Sequence, residues 1–265
     1  MNDSLIIPQW QTSSNVGAVM TTRKGGVSAP PFDSLNFGDN TSDNPHSIVQ
    51  NKQYLQTWVK SCNHNCEIPL AFLDQVHGTH ILNLDDSETR QAVISGVQPQ
   101  ADASYTMQAG MACVVRGADC MPVLFSAPGI VAAVHAGWRG LASGIIEKTV
   151  ALLTEKTSCA PEQIHAWLGP CIGPDVFEVG SEVRDAFVTH SEENQLAFKA
   201  PHTSNKWLAN LSMLAQFTLK RSAVKNVCVD ARCTYENEHL FFSYRRDQAR
   251  LGGTGRMAAC IWLKE

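Results

Sequence analysis

The amino-acid sequence predicts an α+β fold, and three observations carry that prediction. Short runs of strand character follow one another between Ala71 and His135, about ten residues apart, with Gly, Pro and Asp between them. Helical periodicity is confined to separate segments before and after that block. Strands and helices do not alternate regularly, which argues against a doubly wound parallel sheet. The chain has 265 residues, 44% hydrophobic and 17% charged, so it can bury a substantial core and falls outside the composition of disordered chains. No repeat of fixed period or low-complexity linker divides it, and residues 1–265 read as a single domain.

In order, Val16 to Thr22 reads as a strand, and Gly25 to Pro45 is a Gly/Pro/Asn-rich segment too polar for core. A helix follows to about Ser61, with Asn44 as N-cap, Pro45 at the first helical position, and Ile48, Val49, Leu55, Trp58 and Val59 as its apolar face. Strands are expected at Ala71 to Gln75, Thr79 to Leu84, Ala103 to Thr106, Met111 to Arg116, Pro122 to Ser126 and Ile130 to His135. After Arg139-Gly140 the apolar spacing of Leu141, Ile145, Val150, Leu152 and Leu153 predicts a helix through about Lys156. A strand (His165 to Leu168), a loop (Gly169 to Pro174), two helices (Ser181 to His190, Lys206 to Arg221) and two strands (Val227 to Asp230, Met257 to Leu263) complete the reading.

The formal net charge of −4, with Arg245-Arg246 and Arg250 as the densest basic cluster, excludes the basic stripe of a nucleic-acid binder. Met1 to Trp10 holds Asn2, Asp3 and Pro8 and does not read as a secretory signal. The most apolar window, Cys120 to Trp138, is broken by Pro122, Pro128 and His135 and does not read as a membrane span. A cytoplasmic protein without membrane or nucleic-acid partners is expected. Nine cysteines in a reducing compartment then read as free thiols and ligands, not as a disulfide framework.

Three segments place a metal-ligating side chain at a strand end or turn: Gln75-Val76-His77-Gly78, Ala118-Asp119-Cys120-Met121-Pro122, and Val134-His135-Ala136-Gly137-Trp138-Arg139-Gly140. Two imidazoles and a thiolate suit Zn²⁺, and three protein ligands with a vacant fourth position describe a catalytic site. The three lie far apart in sequence, so spacing alone leaves open that they are satisfied core residues. Cys62-Asn63-His64-Asn65-Cys66 is a rival cluster, too tightly spaced for a zinc finger and readable as a loop with incidental thiols. Cys171, in Gly169-Pro170-Cys171-Ile172-Gly173, reads as a nucleophile on a turn or as a small side chain at a tight bend. Arg139 precedes a helix start and suits an anion such as phosphate; Arg23 and Arg245-Arg246 are further anion candidates, with structural ion pairs as the alternative. Gly25-Gly26 and Gly252-Gly253-Thr254-Gly255 lack the surroundings of a nucleotide-binding loop.

Taken in order, Gln75-Val76-His77-Gly78, Ala101-Asp102-Ala103, Ala118-Asp119-Cys120-Met121-Pro122-Val123-Leu124, Val134 to Gly140, Gly169 to Gly173 and Phe242-Ser243-Tyr244-Arg245-Arg246 resemble the YfiH family, the bacterial laccase-domain proteins associated with purine nucleoside phosphorylase activity. The resemblance runs from about Thr21 to the C-terminus. It implies two mixed β-sheets packed together with helices on the outside, and a zinc ion held by His77, Cys120 and His135. It also implies phosphorolysis of adenosine, inosine, guanosine and methylthioadenosine, with adenosine deamination as a second activity. On motif position, Arg139 is expected to hold phosphate, Arg23 and Asn36 to stand at the mouth of the site, and Cys171 to line it. Asp119 or another nearby carboxylate is expected to move protons when water attacks C6 of adenine. The chain departs from the family pattern at Asn40-Thr41-Ser42, where His-Val-Gly is usual, and at Asn210, where Asp is usual.

Two other activities attach to the resemblance. Copper-dependent oxidation of phenols needs several copper ions and many histidines, usually in His-x-His pairs, and none of the nine histidines forms such a pair. Zinc-dependent amide hydrolysis, editing a peptidoglycan precursor with a misincorporated serine, suits an activated water. A monomer or a homodimer fits either activity.

Overall fold

A strand buried on both faces has no solvent side to mark with polar residues, so it reads as a continuous apolar run. Met121–Ala127 and Ile130–Ala136 are such runs, buried at every position, and they form the middle of the molecule. The computed structural model describes residues 3–200 and 206–264. Its elements begin with β1 (Leu5–Ile6), β2 (Val16–Thr21), α1 (Pro45–Cys62), β3 (Leu70–Ala71), β4 (Ile81–Asn83) and α2 (Ser87–Ile94). There follow β5 (Ala103–Thr106), β6 (Ala112–Gly117), β7 (Met121–Ala127), β8 (Ile130–Ala136), α3 (Trp138–Ala142), α4 (Ile145–Thr157) and β9 (His165–Leu168). The last are β10 (Glu178–Gly180), α5 (Ser181–Val188), β11 (Phe198–Lys199), β12 (Lys206–Ala209), α6 (Leu211–Arg221), β13 (Asn226–Val229), α7 (Tyr244–Leu251) and β14 (Met257–Leu263).

Two mixed sheets lie face to face. One runs β1-β2-β14-β6-β3 and the other β13-β9-β7-β8-β5-β4. Each is antiparallel in its interior, with parallel pairing at β3–β6 in the first and at β13–β9 and β4–β5 in the second. The period-two alternation of a strand sorts its residues between layers. Ala259 and Ile261 of β14 join Val115, Leu124, Ala133 and Trp167 between the sheets, while Ala258, Cys260 and Trp262 turn outward to Leu55 and Val59 of α1. Val123 and Phe125 of β7 face Ile145, Ile146, Val150 and Leu153 of α4 and Leu211 and Leu214 of α6. The arrangement is α+β, two mixed sheets with helices outside, as expected. A third, antiparallel sheet, β10-β12-β11, was not expected.

The differences from the sequence reading have identifiable causes. Lys206–Ala209 is strand, not helix, because it pairs with Glu178–Gly180 and Phe198–Lys199; the helix starts only at Leu211, where the Asn210 side chain accepts from the Met213 amide at 2.9 Å. The helix expected after Gly140 is broken in two at Gly144, whose φ of +86° is a conformation glycine adopts freely. The strand expected over Ala71 to Gln75 ends at Ala71. Helices α2 and α7 carry no apolar stripe and so gave no periodic signal; α2 buries only Val93.

Helix α7 is held by a buried ion pair instead. Asp247, fully buried, accepts from Arg246 Nε at 2.7 Å and Nη2 at 2.8 Å and from the Ser243 amide at 3.2 Å, while Arg246 also donates to the carbonyls of Thr234, Tyr235 and Phe241. Burial alone would raise the Asp247 pKa, but the Arg246 guanidinium and the Ser243 amide outweigh it and hold the carboxyl below its ordinary range. Asp247→Asn strands a buried guanidinium and is expected to cost about 3 kcal/mol in urea unfolding at neutral pH. Because the folded pKa lies below the unfolded one, this stabilisation is complete above the ordinary carboxylate range. It fades as pH falls through the depressed value, so the gap between wild type and variant is expected to close on acidification.

Candidate metal centre

Asp102, immediately before β5 and fully buried, organises the site. Its carboxylate accepts from three consecutive backbone amides, Val76 at 3.2 Å, His77 at 2.9 Å and Gly78 at 2.6 Å, and from His135 Nδ1 at 2.8 Å. Successive amides turned onto one anion form a concave nest. The turn this requires places His77 at a φ of +61°, which is uncommon outside glycine. Gln75 pins the same loop to β6 by exchanging two hydrogen bonds of 2.8 Å with the Arg116 backbone. One carboxylate therefore sets both histidines, His77 through its backbone and His135 through its ring. With Nδ1 committed to Asp102, Nε2 is the His135 nitrogen available for a ligand.

Cys120 comes from the turn between β6 and β7, after Asp119 at a φ of +93°. Its Sγ is 3.7 Å from His77 Nε2, the two imidazole rings meet edge to face with centroids 4.8 Å apart, and the ligand atoms of His77, Cys120 and His135 all lie within 4.8 Å of one another. Gly137 leaves the room for this, since a Cβ there would stand 2.9 Å from both Cys120 Sγ and His77 Cδ2. Burial would push the Cys120 thiol up, but the charge and hydrogen bond of His135, with the hydrogen bond from His77, bring it down to about 6. Burial would likewise lower His135, but the Cys120 thiolate and the Asp102 carboxylate raise it to about 9. A thiolate is the form that binds metal, and a metal ion displaces the imidazolium proton.

The residues fit a metal ion. Bonds of about 2.0–2.3 Å in a tetrahedral site put ligand atoms about 3.3–3.8 Å apart, so a small inward movement suffices. The side not occupied by protein opens onto a cavity of about 580 Å³ walled in part by Trp138, Phe177, Tyr244 and Ile172.

Four arginines reach this cavity. Arg116 is buried and neutralised by Asp39. Arg245 donates to the Glu178 carbonyl at 3.0 Å and lies over the Phe177 ring. Arg139 is exposed, stacked on Trp138 at 4.5 Å, and its guanidinium makes no hydrogen bond or ion pair to the described residues. Arg256 is half-buried, with Nη1 on the carbonyls of Thr254 and Gly255 at 3.0 Å each. Asp119 also lines the cavity, its carboxylate accepting from Thr234 Oγ1 and the Arg245 amide at 2.7 Å each.

Of the residues expected from sequence, His77, Cys120, His135, Asp119 and Arg139 come together here. Arg23, Asn36 and Cys171, expected at the mouth or wall of the site, are not among the residues that line this cavity. Arg23 is tied to Asp33 and the Glu238 carbonyl, lies over Phe242, and borders a different hollow. Asn36, fully buried, acts at one remove: its Oδ1 accepts from the Gly38 and Arg256 amides and its Nδ2 donates to Asp43 and Thr41, fixing the Gly38–Thr41 edge of the cavity. Cys171 is a buried thiol bridged by backbone to Cys233, with its pKa pushed up by burial. Cys62, His64 and Cys66 are not brought together as a ligand group among the described residues. Sequence reasoning missed Asp102, visible only as a motif without a role, and Arg256, which follows a Gly-rich segment discounted as a nucleotide loop.

Residues 17–264 match the family described as Multi-copper polyphenol oxidoreductase laccase. Purine nucleoside phosphorylase YfiH of Escherichia coli (strain K12) is 44% identical over 261 residues, covering 98% of each chain. Purine nucleoside phosphorylase YlmD of Geobacillus stearothermophilus is 35% identical, covering 94% of this chain and 91% of that one. Among solved structures, Neisseria meningitidis protein NMB0706 superposes with a TM-score of 0.87 at 40% identity, covering 99% of this chain and 100% of that one.

Proposed function

Since the chain belongs to the multi-copper polyphenol oxidoreductase laccase family, and shares 44% identity over nearly its full length with a relative named a purine nucleoside phosphorylase, we propose that it is a zinc-dependent purine nucleoside phosphorylase. Its substrates in this reading are adenosine, inosine, guanosine and S-methyl-5′-thioadenosine with phosphate, and adenosine deamination is its second activity. The observation that carries the proposal is the cavity itself. It joins aromatic walls suited to a purine, an arginine stacked on Trp138 whose guanidinium makes no hydrogen bond or ion pair among the described residues, and a His/Cys/His group open on one side.

His77, Cys120 and His135 are the proposed ligands. Two imidazoles and one thiolate with an open position suit catalytic zinc; copper shares this donor set, but zinc needs no redox partner for phosphorolysis. When bound, the ion supplies Lewis acidity toward a substrate oxygen or a water at the open position. The chain's own groups do the rest. Trp138, Phe177 and Tyr244 hold the base and exclude water, and Arg139 draws phosphate to the ribose. In phosphorolysis a phosphate oxygen bonds to C1′ as the C1′–N9 bond breaks; its electron pair leaves on the purine, which takes up a proton. In deamination water adds at C6 and ammonia leaves, with Asp119 in this reading carrying protons.

The test is a product profile for the zinc-loaded protein given adenosine with and without phosphate. Adenine and ribose 1-phosphate in equal amounts, formed only with phosphate, are expected, together with inosine formed without it. Failure to release adenine under either condition overturns the phosphorylase reading.

A further inference from the structure

Arg256 is a half-buried arginine of the cavity wall without a protein counter-ion among the described residues. Its guanidinium lines the cavity, yet no carboxylate of the described residues lies within ion-pair distance, whereas Arg116 in the same wall is matched by Asp39. Cys120 and Asp119 share the cavity wall with it. A cation withdrawn from water without a counter-ion is costly, and burial accordingly draws the Arg256 pKa down.

The side chain is also fixed in place. Nη1 is spent on the Thr254 and Gly255 carbonyls, the backbone amide donates to Asn36 Oδ1 at 2.8 Å, the backbone carbonyl accepts from the Phe37 amide at 3.0 Å, and the guanidinium lies 5.6 Å from the centre of the Tyr244 ring. Nε and Nη2 have no partner among the described residues, while the residue reaches the cavity. Rigid, forked donors held ready for a tetrahedral oxyanion are what guanidinium recognition of phosphate requires.

We infer that Arg256 is a phosphate-binding residue of this cavity, supplying the counter-charge beneath the substrate while Arg139 acts from the exposed rim. The inference rests on the phosphorylase reading for its ligand, inorganic phosphate, and on this chain's own geometry for its position. Asn36, expected from sequence at the mouth of the site, thereby acquires a different task, because its carbonyl oxygen anchors the backbone of the arginine.

Two measurements on the zinc-loaded protein test this. Phosphate affinity and the phosphate KM are compared for wild type, Arg256→Gln and Arg256→Lys, alongside adenosine affinity without phosphate. Arg256→Gln is expected to weaken phosphate by about 10- to 100-fold, the range of a lost charge-assisted hydrogen-bond pair. Adenosine affinity and metal content should stay at wild-type levels, and the lysine variant should recover part of the loss. Unchanged phosphate affinity in a folded, metal-loaded Arg256→Gln overturns the inference.

Should that variant fail to fold, the second measurement uses wild type alone. Arginine modification by phenylglyoxal, mapped by mass spectrometry, is expected to be suppressed at Arg256 by inorganic phosphate, and equal modification with and without phosphate overturns the assignment. The two readings fail separately. Phosphate protection without nucleoside turnover leaves Arg256 an anion site and removes the phosphorylase reading, whereas phosphate-dependent turnover without protection does the reverse.

Discussion

Replacing Cys120 with Ala is expected to abolish stoichiometric zinc binding and to lower nucleoside turnover by on the order of 10³-fold or more, the equivalent of losing several kcal/mol of metal-derived stabilisation. The thiolate is the sole anionic member of the His/Cys/His group, so its removal takes away both a donor atom and the charge that offsets the cation. It also takes away one of the two anions, with Asp102, that raise the His135 pKa. The methyl of Ala fits the space left by the thiol, so the fold should survive and circular dichroism should match wild type. Zinc content by atomic spectroscopy and turnover with adenosine and phosphate are the readouts. A variant with wild-type zinc and wild-type turnover would show that the assignment of this site is wrong.

Asp102→Asn should weaken zinc by about 10- to 100-fold in a chelator competition titration, although Asp102 itself is not among the proposed ligands. The carboxylate accepts from four donors, three backbone amides and an imidazole N–H. An asparagine side chain offers one oxygen, and its NH₂ group would face donors. At least one amide of the Val76–Gly78 turn then loses its acceptor, at about 1–3 kcal/mol of stability for a buried unsatisfied group. The larger consequence is for the ligands, since His77 relies on the carboxylate for its left-handed backbone and His135 for its ring orientation. Wild-type zinc affinity in this variant would mean that the surrounding loops hold both histidines without it.

The sequence was legible where burial imposes a pattern. Strands β7 and β8 stood out because both of their faces are covered, and α1 because Asn44 caps it and Pro45 begins it. Three ligands on separate segments were legible as chemistry, and the folded chain brings them within reach of one another. What escaped was structure held by polar contacts between distant residues. Helix α7 rests on the Arg246–Asp247 pair, and β12 is a strand only because β10 and β11 flank it. Asp102 stood in a motif but gave no signal of its role, because a carboxylate that turns a loop onto itself looks, in sequence, like any other acidic residue before a strand. Arg23 and Asn36 show the converse. Each sits in a distinctive motif, and each is consumed by the architecture around it.

The position of β14 bears on how the molecule comes into being. It is the last strand in the chain yet the central one of its sheet, between β2 and β6, and the Ala258 amide reaches a Thr21 hydroxyl 237 residues away in sequence. Domains emerge from the ribosome N-terminal end first, and pairing between sequence-distant strands is slow to form. Strands β1 and β2 therefore keep one edge unpaired until β14 has been made. Arg256 immediately precedes the strand that joins β2 to β6, so the cavity it lines gains this side chain only as β14 takes its place in the sheet.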